Sequence, residues 1–181
     1  MPALTSVALL ASSLLLLAGA MKVVDPAMTV GALRALRVPA GPGFVRIGAA
    51  AEGALGVAAL VVGGRLLWVL VACSYAAFAV FVIAAIRAGT MVGSCGCFGR
   101  EDTPPHWSHV VLNLAITLAV LAVAIWSPGA ALAALRWDGG LGALVVALTA
   151  LAMYLAHATF VELPRTLLAG RRDGASRTAS R

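Results

Sequence analysis

The densest chemical signal in the chain is Gly93-Ser94-Cys95-Gly96-Cys97-Phe98-Gly99-Arg100. Two thiols one residue apart can cycle between dithiol and disulfide. A disulfide across Cys-X-Cys closes a small, strained ring, and strained disulfides are the more readily reduced. Arg87 and Arg100 flank the pair and favour the thiolate, the nucleophilic and metal-ligating form. Cys95 and Cys97 are therefore candidate catalytic residues of a thiol–disulfide oxidoreductase.

The same stretch supports other chemistry. His106-Trp107-Ser108-His109 follows closely. Cys95, Cys97, His106 and His109 together offer two thiols and two imidazoles, a donor set suited to zinc or copper. The spacing matches no standard zinc finger. A third reading gives these residues no chemistry. The cysteines pack, the histidines hydrogen-bond at an interface, and the loop docks a partner of a non-catalytic assembly subunit. Cys73 lies well inside an apolar run and is expected to pack as a small core residue.

Glu52 is the other candidate catalytic residue. It sits in Gly48-Ala-Ala-Ala-Glu52-Gly53-Ala-Leu-Gly56, a run otherwise free of charge. An ionisable group in lipid costs at least ~2.5 kcal/mol, so it is expected to face the helix bundle. The small residues around it let another helix approach closely. Glu52 can carry a proton for thiol chemistry or contact a quinone-like ligand. It can equally be structural, paired with Lys22 or Arg46.

The elements that must position these groups follow from composition. Of 181 residues, 62% are hydrophobic and only 11% charged. A soluble domain carries about 25% charged residues. The figures exclude a water-soluble globule, a wholly disordered chain and, with three cysteines, a disulfide-dense scaffold. The net charge of +6 is spread over loops and a tail. That pattern suits membrane orientation and argues against a nucleic-acid partner.

Five stretches are apolar and near the roughly 20 residues a bilayer requires: about 4–21, 44–63, 66–86, 109–126 and 141–160. Backbone polar groups must be satisfied inside lipid, so each is expected to be helical. The expected fold is all-α, a polytopic membrane bundle with a four-helix core and a fifth transmembrane helix. The membrane domain spans 1–165 and a basic, disordered tail spans 166–181. Ala18-Gly19-Ala20 resembles a signal-peptidase site, but no basic residue precedes the first apolar run. That run is therefore read as an uncleaved helix.

Residues 28–38 are expected to form a short amphipathic helix with Arg34 and Arg37 at the interface. Trp68, Trp107, Trp126 and Trp137 lie near span ends and read as interface anchors. Asn113 and His157 are polar groups within later spans, able to bond across helices. With five spans, 11 of the 13 basic residues fall on one side; only Arg65 and Arg136 fall on the other. The positive-inside rule puts the side rich in basic residues, with the cysteine loop, in the cytoplasm. Disulfide formation belongs on the oxidising outer side, so charge and chemistry disagree about the loop.

Three features in order resemble the methylamine utilisation protein MauE family, within the wider DoxX-like small membrane proteins. They are Lys22-Val-Val-Asp25-Pro26, Glu52, and Cys95-Gly96-Cys97-Phe98-Gly99. The resemblance covers about residues 5–126, and the cysteine string is its most specific part. Trp107-Ser108 and Asn113 fall at matching positions. Leu112 stands where members often carry Arg. The resemblance implies a multi-pass protein of the inner cell membrane. It also implies a redox or maturation role for an exported, methylamine dehydrogenase-like protein. A thioredoxin-like partner would exchange a disulfide with Cys95 and Cys97.

Overall fold

The computed structural model describes residues 2–88 and 106–131. Five helices account for nearly all of them: α1 (Pro2–Val24), α2 (Ala27–Ala35), α3 (Pro42–Val61), α4 (Arg65–Arg87) and α5 (Trp107–Trp126). No strand occurs among the described residues. Four helices are long and apolar enough to cross a membrane: α1, α3, α4 and α5, with mean hydropathies of 2.1, 1.6, 2.6 and 2.2. The expected helical membrane bundle is thus observed. The fifth span at 141–160, Trp137, His157 and the tail lie outside the described residues.

Local chemistry sets the boundaries. Asp25-Pro26 ends α1, since a proline ring blocks the next helical hydrogen bond. The Asp25 carboxylate accepts the Ala27 backbone N–H at 3.1 Å and starts α2. Pro42 sits in the first turn of α3, where a missing N–H costs nothing. Between α3 and α4, Gly63 and Gly64 adopt φ values of 67° and 103°. That left-handed region is open mainly to glycine.

α1 packs chiefly on α3, and α4 on α5, with α1 also against α5. The α1–α3 seam is made of small residues. A Cβ on Gly19 would lie 2.6 Å from the Ala49 carbonyl oxygen, and one on Gly56 would lie 2.8 Å from that of Ser12. Only hydrogen atoms fit there, so the backbones touch. This is the packing expected where lipid supplies no hydrophobic drive between helices. The main core gathers Leu15, Trp68, Val71, Val120 and Val123 with the small Ala59.

Two expectations from the sequence are corrected. Trp68 is no interface anchor: it is 0% exposed, and its indole N–H is shared between the Pro128 and Gly129 carbonyl oxygens at 3.3 and 3.2 Å. The backbone after α5 folds back onto the α3–α4 turn, supplying acceptors inside the bundle. Cys73 is exposed on the outer face of α4 and is not in the core. Its neighbours Val71 and Ala72 take the buried positions instead. Trp107 and Trp126 are exposed at the two ends of α5, as anchors should be. The amphipathic helix is shorter than expected, ending before Arg37, whose φ is 61°.

Candidate functional site

α1 runs on to Val24, three residues past the expected end of the first span. That extra turn carries Lys22 into the bundle. Its ammonium lies 2.8 Å from Glu52 Oε2, and the side chains are 7% and 24% exposed. The same Nζ sits 4.4 Å from the centroid of the Phe78 ring. A carboxylate and an aromatic face therefore share one buried cation, contributed by three helices. Lys22 also lies in the last turn of α1, where positive charge suits the helix dipole.

Of the two partners expected for Glu52, the structure selects Lys22. Arg46 turns away, and its Nε donates to the Val23 carbonyl oxygen at 3.2 Å, covering the end of α1. Behind the ion pair, Phe78 meets Tyr75 edge-to-face, with centroids 6.0 Å apart and planes at 90°. The Tyr75 hydroxyl donates to the Ala11 carbonyl oxygen at 2.6 Å. This hydrogen bond and the Lys22–Phe78 contact fix α4 against α1 at two depths.

The pair opens on a cleft of about 280 Å³. Phe44, Phe78, Phe81 and Leu33 form its walls, with Gly48 and Ala77 where larger side chains would fill it. Among the described residues, Lys22 and Glu52 are its only charged lining groups. The sequence reading missed the aromatic walls. A signal was present, since Tyr75, Phe78 and Phe81 recur at three-residue spacing and so fall near one another on α4.

His106 and His109 are described, and they serve the start of α5. His106 Nδ1 accepts the Ser108 backbone N–H at 3.2 Å, and His109 Nδ1 accepts that of His106 at 3.3 Å. Together they make a capping box with histidines in place of the usual Ser and Glu. Among the described residues no three His, Cys, Asp or Glu side chains gather around a common point. Asn113 bonds within its own helix, donating to the His109 carbonyl oxygen at 2.7 Å. Cys95 and Cys97 lie outside the described residues. The segment that holds them joins the C-terminal end of α4 to the N-terminal end of α5. Phe81 lies six residues before Arg87, roughly 9 Å along α4, so the cleft is at that end of the bundle.

Fold and site define a multi-pass helical membrane protein with a charged pair held inside its bundle. The sequence profile of the methylamine utilisation protein MauE family matches residues 1–127, and the chain belongs to that family. Comparisons with curated proteins and with solved structures give no match.

Proposed function

We propose that this MauE-type protein is a thiol–disulfide redox factor in the maturation of an exported, methylamine dehydrogenase-like protein. It sits in the inner cell membrane. Cys95 and Cys97 are the exchanging pair, a thioredoxin-like protein is the partner, and Glu52 is the proton carrier at that end of the bundle. The observation that carries the reading is the convergence of α4 and α5 ends with the Lys22–Glu52 pair. Arg87 and Trp107, the helix-end residues that precede and follow the dithiol segment in the sequence, lie toward the end of the bundle that holds its one carboxylate–ammonium pair among the described residues.

In one direction of exchange, the Cys95 thiolate attacks the partner's disulfide and releases one partner thiolate. The Cys97 thiolate then attacks the Cys95 sulfur, closing the loop disulfide and releasing the second partner thiolate. Two electrons pass to the partner, and the protons lost by the loop thiols balance those the partner gains. The reverse direction uses the same steps, and relative reduction potentials choose between them.

Trapping tests the reading. A Cys97→Ala chain should accumulate a mixed disulfide through Cys95, because nothing remains to resolve it. If no such adduct forms, and Cys95→Ser with Cys97→Ser leaves maturation intact, the thiols have no exchange role.

A further inference from the structure

The cleft beside Lys22 and Glu52 is larger than the ion pair needs. We propose that it binds the ring of a neutral, membrane-soluble molecule bearing carbonyl or hydroxyl oxygens, the quinone class. The inference deepens the redox reading of this site, but it concerns the cleft alone. It does not require that Cys95 or Cys97 exchange electrons with the bound molecule.

Four observations support it. The volume, about 280 Å³, suits one ring and not a large ligand, since drug-sized molecules occupy about 300–1,000 Å³. Phe44, Phe78 and Phe81 offer aromatic walls, and Phe44 is 70% exposed, so the cleft is open on that side. A Cβ built on Gly48 meets nothing within 4 Å, so the backbone there is open to the cleft. The polar groups come as a donor and an acceptor side by side. Lys22 carries three N–H donors, of which Glu52 engages one. Glu52 bonds through Oε2 and leaves a quarter of its side chain exposed. A ligand carbonyl suits the ammonium, and a ligand hydroxyl suits the carboxylate. The quinone and hydroquinone forms of one ring offer these in turn.

The charge arrangement argues against an anionic head. Glu52 already neutralises Lys22, and the carboxylate is the more exposed partner. A phosphate would meet like charge first. A neutral ring meets no such barrier.

The test uses the full chain in nanodiscs of phosphatidylcholine, titrated with a short-tailed benzoquinone and followed by calorimetry. Saturable binding at one site is expected, above the linear partitioning seen with empty discs. Gly48→Leu should fill the cleft and lower affinity at least tenfold, with an unchanged or higher unfolding temperature. The Cys95→Ser, Cys97→Ser chain should bind as well as the parent, which separates this inference from the thiol reading. Linear partitioning alone, or full affinity in the folded Gly48→Leu variant, overturns the proposal. Displacement of the quinone by glycerol phosphate also overturns it, because the cleft then accepts an anionic head.

Discussion

Lys22 and Glu52, 30 residues apart in the chain, meet at 2.8 Å and join α1 to α3 within the bundle. Removing one partner leaves the other charge without its counter-ion in a poorly solvated place. Such a loss costs about 3 kcal/mol or more, whereas replacing both by apolar groups is often neutral. Lys22→Met and Glu52→Leu should each destabilise the protein by that order. The double variant should recover most of the loss. Unfolding in mixed detergent micelles reads all three, and additive losses would show that the pair contributes nothing as a pair.

The α1–α3 seam gives a second prediction. Gly56→Ala drives a methyl group into the Ser12 backbone and forces the helices apart. A cost of about 1–3 kcal/mol is expected for such overpacking. Gly48→Ala is the matched control, because its new methyl group meets open space. It should be neutral or stabilise by up to about 1 kcal/mol, through the helix preference of alanine over glycine. Equal effects at the two positions would show that the contact at Gly56 is not tight.

Trp68 supplies a third. Trp68→Phe keeps an aromatic ring in the core but removes the indole N–H that serves Pro128 and Gly129. The Gly129 carbonyl oxygen then loses a donor while that of Pro128 keeps the Gly64 backbone N–H, at a cost of about 0.5–1.5 kcal/mol. Hydrogen exchange should report faster opening around residues 127–131 before the rest of the bundle loosens. Uniform loosening across all helices would instead mean that the ring's packing, and not its N–H, holds the segment.

Orientation is the fourth. The charge bias predicts that a membrane-impermeant maleimide labels Cys95 and Cys97 only after cells are opened. Labelling in intact cells, but only after a reductant, would place a disulfide on the outer side and reverse the orientation. Cys73 is exposed on α4 but lies within the span. It should resist the reagent in either case and serves as an internal reference.

Helices were legible in the sequence because lipid leaves the backbone one open-ended choice, and apolar runs of the right length are hard to mistake. Glu52 was legible for a related reason: a lone carboxylate in such a run must find a partner. What the sequence hid was direction. Cys73 and Trp68 both lie on α4, and periodicity alone does not say which face meets α1 and α5. The assignment of Cys73 to the core and of Trp68 to the interface reversed the observed pair for that reason. Lys22 is intermediate. It falls just past the expected end of the first span at residue 21, and only its contacts with α3 and α4 show that the last turn of α1 carries a buried, paired charge. The dithiol segment is the opposite case, plain in sequence and outside the described residues.

The backbone at Pro128 and Gly129, folded under the Gly63–Gly64 turn, acts as a buckle. The strap leaving α5 is fastened to the adjacent corner of the bundle, where α3 turns into α4, and Arg65 reinforces it by donating to the Ala124 carbonyl oxygen at 3.3 Å. The family profile stops at residue 127, one residue short of the fastening. The fastening therefore lies at the edge of the matched region, held by backbone and indole hydrogen bonds to the α3–α4 turn and to α4.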